Sequence, residues 1–221
     1  MIIQNNNKIP KTEHTYVGID QSLTCTAIAI LCNGIIEVKI IKPDCKGVKR
    51  LNYISDEFKK ALPSNIRGAA IEGYSFGSTG NTFNLGELGG ILRLALYERN
   101  ITSIQVPPPT LKKYLSGVGN ANKNVMLKEL YRKYDIDVND DNICDAISLV
   151  LLAFEFYETQ YHCVNTLRTE LHKKCEIIIN DHPNILKPSE YLKDMEDGMR
   201  IYEYEKVRKN GKSIRGTNLK Q

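Results

Sequence analysis

The chain has no apolar run long enough to cross a membrane. Its longest, residues 147–154, is interrupted by Ser148 and falls far short of the roughly 20 residues a bilayer requires. Residues 1–11 are polar and lack the apolar centre of a secretory leader, so a cytoplasmic location is expected. The six cysteines, at positions 25, 32, 45, 144, 163 and 175, include no closely spaced pair. That argues against a disulfide framework and for free, partly buried thiols. His162, Cys163, His172, Cys175 and His182 match no standard zinc-finger spacing. There is no internal repeat. With 221 residues, 42% hydrophobic and 25% charged, the chain suits one well-cored domain plus an extension.

Charge is informative through its placement. The net charge is only +4. Between residues 107 and 134, Lys112, Lys113, Lys123, Lys128, Arg132 and Lys133 face a single acid, Glu129. After Glu205 the tail carries Lys206, Arg208, Lys209, Lys212, Arg215 and Lys220 and no acid. Clustered cations of this kind suit a polyphosphate backbone; a solvated helix face and a solubilising tail are the plainer alternative.

Periodicity predicts the elements. Residues 16–19, 24–31 and 35–41 read as strands, and Asn33 with Gly34 marks a two-residue hairpin. Val48, Leu51, Ile54, Phe58 and Leu62 recur at helical spacing until Pro63. Residues 69–72 form a short buried strand, followed by a glycine-rich loop that carries Tyr74 and Phe76. Residues 85–100 form a helix apolar on more than one face, in which Gly86, Gly89 and Gly90 would admit a second backbone. A fifth strand ends at Val106. Thr110 can cap a short helix, residues 123–134 form another, and a last helix runs from about 141 to 157. The sum is an α/β fold, a mixed five-stranded sheet flanked by helices. Residues 1–15 read as a flexible arm, 16–157 as the folded domain and 158–221 as a C-terminal extension with a basic tail.

Four acids stand where strands and a helix would aim them at one pocket. Asp20 and Glu72 end apolar strand runs, and Asp141 and Asp145 lie four apart on one helix face. Carboxylates brought together repel by roughly 4 kcal/mol per pair at an effective dielectric of 20. They stay ionised only with bound cations, and oxygen ligands favour Mg²⁺, with Mn²⁺ as a substitute. Such a site suits phosphodiester hydrolysis, in which a metal pair activates water and supports the leaving oxygen. For Asp141 a helix cap is a serious alternative, because residues 139–141 lie where a cap is expected.

Gly18, Ile19 and Asp20, the Ile71 to Phe76 segment, Leu88 to Ile91, the glycine-rich turn before Lys123, and Cys144 to Ile147 follow one another in a telling order. In that order and spacing, residues 16–157 resemble the RuvC-type Holliday junction resolvases of the RNase H-like superfamily, most closely the bacteriophage variants. The resemblance implies catalysis by Asp20, Glu72, Asp145 and Asp141, with Lys123 supporting the scissile phosphate. It implies two metal ions per site and a homodimer acting on branched DNA, chiefly four-way junctions. Lys112, Lys113 and Lys123 would meet the DNA, and Tyr74 and Phe76 would stack near the branch point unless they fold back on the core. Where the family usually places its fourth ligand, three residues before the last Asp, this chain has Asn142. Asn142 or Asp141 could fill that role, with Asp141 preferred because added negative charge raises metal affinity.

Three other functions fit part of the pattern. A sugar-kinase-like phosphotransferase also opens with a strand ending in Asp, but its second phosphate loop and adenosine motif are missing here. A non-catalytic junction-binding protein of the same fold would have no need of Asp20, Glu72 and Asp145. A broader nuclease would cut forks and flaps as well.

Overall fold

The computed structural model describes residues 1–4, 6–74 and 82–162. The central layer begins with an antiparallel meander of β2 (Tyr16–Asp20), β3 (Thr26–Cys32) and β4 (Ile35–Ile41). Asn33 and Gly34 both take positive φ between β3 and β4, as a tight hairpin whose twist matches its strands requires. β5 (Gly68–Glu72) then runs parallel to β2, and β6 (Ser103–Val106) parallel to β5.

The sheet has six strands, not five. The sixth is β1 (Ile2–Ile3), which pairs antiparallel with β4 at the outer edge, giving the order β1-β4-β3-β2-β5-β6. The segment read as a flexible arm is therefore tied down. Val38 exchanges backbone hydrogen bonds with Met1, and Ile9 is buried. The physical reason is the exposed edge of β4, whose unpaired amides and carbonyls take the nearest available strand.

Strand alternation sorts side chains onto two faces. Along β3, Ala27, Ala29 and Leu31 join one core, and Ile28 and Ile30 the other. Helices α1 (Gly47–Ala61) and α2 (Thr82–Glu98) cover the isoleucine face, the first through Leu51, Ile54 and Phe58. On the opposite face lie α3 (Pro108–Ser116), α4 (Lys123–Tyr134) and α5 (Asp141–His162). α3 starts one turn earlier than a Thr110 cap would put it. Pro107 is its cap residue, prolines occupy the first helical positions, and Thr110 is buried within the helix.

Gly18 on β2, Ala27 and Ala29 on β3, and Gly68 and Ala70 on β5 are small, and the two glycines decide how close α5 lies. A Cβ on Gly18 would fall 2.2 Å from the Val150 backbone nitrogen, and one on Gly68 would fall 2.2 Å from the Tyr157 ring. α5 thus rests directly on the sheet backbone, with its first turns over the C-terminal ends of β2 and β5. Among the described residues no helix is long and apolar enough to cross a membrane.

Candidate active site at the strand ends

In the parallel register Ile19 lies beside Ile71, so one step further Asp20 lies beside Glu72. Both follow residues that face α5, Gly18 and Ala70, by two positions and share their side of the sheet. The carboxyl ends of parallel strands are where open α/β sheets form their binding crevice. Asp20 is only 5% exposed. Burial first, then the neighbouring Glu72 charge, holds its pKa far above the carboxylate range. Burial also raises Glu72, opposed by the hydrogen bond it accepts from Asp20 and by the Lys112 ammonium. Burial and mutual repulsion together favour a protonated form of this pair.

α5 contributes Asp145, one turn in from its start. Burial, then the charges of Glu72 and Asp141, push this carboxyl up to about 7, against the pull of Lys112 and Lys123. Lys112 is half-buried on α3 and Lys113 is exposed beside it. Lys123 opens α4, whose start is fixed by Asn122 accepting a 3.0 Å hydrogen bond from the Val125 amide.

Asp141 behaves differently from the other three acids. The cap of α5 is Asp140, whose carboxylate accepts from the Ile143 amide at 3.1 Å, so capping leaves Asp141 free for other partners. Asp141 pairs instead with the Lys123 ammonium, and that contact draws its pKa down. Asn142 lies beside the Cys25 thiol, whose pKa burial raises and the Asn142 amide lowers.

The two loop aromatics part company. Tyr74 folds back: its hydroxyl lies 3.5 Å from the Gly86 carbonyl, and a Cβ on Gly89 would strike it at 2.2 Å. Its place against α2 is the core-directed alternative, favoured because glycines leave a slot there. Phe76 and the basic tail lie outside the described residues. Gly89, read as part of an open interface, in fact faces inward onto Tyr74 and Gln21.

Gln21 escaped the sequence reading. It is buried, and its amide donates to the Glu72 carbonyl at 2.6 Å, clipping together the two strand ends that carry the acids. A polar residue continuing a fully apolar strand past its acid was the available signal. Its Oε1 is buried with no hydrogen-bond partner among the described residues.

As the side chains stand, no three of the described His, Cys, Asp and Glu residues close into a group able to hold a metal ion. The acids are nonetheless near enough to raise one another's pKa. Three desolvated carboxyls whose pKa values burial raises are an oxygen-only donor set that fits a hard divalent cation.

No family model matches the chain. Curated relatives do. A crossover junction endodeoxyribonuclease RuvC from Thermotoga petrophila is 32% identical over 110 residues, 48% of this chain and 67% of that protein. RuvC from Brachyspira hyodysenteriae is 32% identical over 47% of this chain and 66% of its own length. RuvC from Parasynechococcus marenigrum is 28% identical over 145 residues, 61% of this chain and 94% of the relative. Among solved structures, Thermus thermophilus RuvC in complex with a Holliday junction substrate superposes with a TM-score of 0.53 at 18% identity. That match covers 62% of this chain and 91% of the other, and it supports the shared fold. By its strand order, by the acids gathered where β2, β5 and α5 meet, and by these relatives, the chain belongs to the RuvC family of crossover junction endodeoxyribonucleases.

Proposed function

We propose that this protein is a metal-dependent endonuclease that resolves four-way DNA junctions by cutting two symmetry-related strands. The observation that carries the reading is the meeting of Asp20, Glu72 and Asp145 at one strand-end crevice, with two lysines beside them. Asp20 and Glu72 would hold the cations from rigid strand ends, Asp145 from the first turns of α5, and the Asn142 side-chain oxygen would complete the set. Bound Mg²⁺, two ions per site with Mn²⁺ able to replace it, supplies an activated water and relief of charge at the phosphate.

The protein's own contribution is placement and charge. Lys112, whose ammonium already acts on Glu72 and Asp145, would neutralise the phosphate deep in the crevice. Lys123 stands at the crevice mouth, 74% exposed, where the scissile strand would meet it. Lys113, exposed one residue after Lys112, suits the flanking backbone.

Paired cuts need paired sites, and α2 supports a twofold dimer. Its inner face buries Leu88, Leu92, Ala95 and Leu96. Its outer stripe exposes Phe83 (89%), Leu94 (55%) and Tyr97 (68%), and at Gly86 and Gly90, on the same stripe, an added Cβ would meet nothing. Bare glycines between apolar side chains at helical spacing let a second copy of the same helix approach closely.

The test is cleavage of labelled four-way junction, forked and linear DNA with Mg²⁺, Mn²⁺ or EDTA. Symmetric nicks in the junction, lost in EDTA, are expected. Equal cutting of forks and flaps would replace this reading with a broader branched-DNA nuclease. Binding without any cutting would leave a non-catalytic junction binder.

A further inference from the structure

Asp141 and Lys123 are the opening residues of α5 and α4, and each helix start is pinned by the residue before it, Asp140 and Asn122 respectively. A lysine is out of place at a helix N-terminus, where the backbone presents positive partial charge; an aspartate suits that position. Lys123 therefore has no local reason to sit there, and its ammonium turns to a carboxylate eighteen residues away. Asp141 is 40% exposed, at the rim, whereas Asp20 lies at the bottom of the crevice. The adjacent side chain, Asn142, faces Cys25 at the end of the loop that follows Asp20. The two candidates for the fourth cation-holding oxygen thus differ in what they already touch. One is engaged by a lysine, the other by a neutral thiol.

We infer that Asp141 is a positioning residue for Lys123: it holds the ammonium at the mouth of the acidic crevice until a DNA phosphate takes it over, and it is not a cation ligand. A lysine carries a long stem with many rotamers, and a partner on a pinned helix start restricts those to the ones that reach the crevice. An incoming phosphate offers the ammonium a second anion at the same place, so the transfer needs only a small swing of the stem. This inference rests on the nuclease reading above and assigns Asp141 within it. It also sets aside the preference for Asp141 as fourth ligand that its added negative charge suggested.

The experiment is a double-mutant cycle on the full chain, read by single-turnover junction cleavage, with the Mn²⁺-induced rise in melting temperature measured without DNA. Asp141→Ala should slow cleavage about two- to fivefold, the range set by an exposed ion pair. In a Lys123→Ala background it should cause no further slowing, and Asp141→Glu should restore most of the rate. The Mn²⁺-induced shift should survive in Asp141→Ala and be lost in Asp145→Ala. Independent slowing in the Lys123→Ala background, an unchanged rate in Asp141→Ala, or loss of its Mn²⁺ shift would each overturn the inference. A wild-type protein inert on every branched substrate would instead overturn the nuclease reading, and this inference with it.

Discussion

Asp20 and Glu72 lie side by side where two neighbouring parallel strands end, and burial together with the Glu72 charge raises the Asp20 pKa. Two buried acids side by side without a cation are a strained arrangement, and its instability is the simplest handle on the site.

Replacing Asp20 by Asn keeps the shape and the donor while removing a titrating group. Without cations at pH 8, Asp20→Asn should melt several degrees higher than wild type, at about 2–4 °C per kcal/mol for a protein of this size. Cleavage should fall at least a hundredfold, in line with losing a group that holds charge at the reacting phosphate. Differential scanning calorimetry and a junction assay read the two effects. A lower melting temperature would mean that Asp20 is structural.

The pH dependence follows from Asp145. Its carboxyl is raised from an ordinary 3.8 to about 7, so the folded state holds a proton that the unfolded chain has released. The favourable contribution is full below about pH 4 and is lost as pH rises through about 7. Metal-free protein should lose melting temperature across that window, and saturating Mg²⁺ should flatten the loss. A metal-free curve that rises from pH 5 to 8 would contradict the assignment.

Much of this was legible from the chain. The hairpin at Asn33 and Gly34, the boundaries of β4 and α4, and the convergence of Asp20, Glu72 and Asp145 follow from periodicity and from acids placed after apolar runs. What was not legible depended on tertiary partners. A two-residue strand at Ile2 and Ile3 has no period to detect and exists because β4 has an edge to fill. Which of residues 139–141 caps α5 is a choice of one backbone angle, and it falls on Asp140. Gly89 faces inward because α2 is rotated to bury Leu88 and Leu92, a rotation fixed by α1 and the sheet. The partner of Asp141 comes from another helix altogether.

Gly18 sets the height of α5 over β2. A Cβ there would meet the backbone of Ala146, Leu149 and Val150 at 2.2–2.8 Å, and backbone cannot step aside as a flexible side chain can. Gly18→Ala should destabilise the fold by about 1–3 kcal/mol, the usual cost of overpacking. It should also lift Asp145 away from Asp20, with a loss of cleavage larger than the stability loss explains. Urea denaturation with parallel cleavage rates checks this; an unperturbed protein would refute the close packing.

The outer stripe of α2 is open to a direct test. Leu94→Glu places a charge amid Phe83, Tyr97 and the bare glycines, and should convert a dimer to a monomer with little change in monomer stability, because Leu94 is exposed. Sedimentation velocity decides it. A wild-type monomer at micromolar concentration would contradict the dimer.

Lys112 and Lys113 are neighbours with different surroundings. Lys112→Ala should lower the cleavage rate strongly with modest loss of binding, because its charge acts inside the crevice on Glu72 and Asp145. Lys113→Ala should weaken binding and lower its salt dependence by about one counterion, with the rate at saturating DNA little changed. Fluorescence anisotropy across a salt series separates the two.

Anomalous scattering from crystals soaked in Mn²⁺ is the most direct check on the site itself. Peaks about 2 Å from carboxylate oxygens of Asp20, Glu72 and Asp145, with none on Asp141, are the expected result. Manganese absent from the ends of β2 and β5, or bound only elsewhere on the surface, would contradict it.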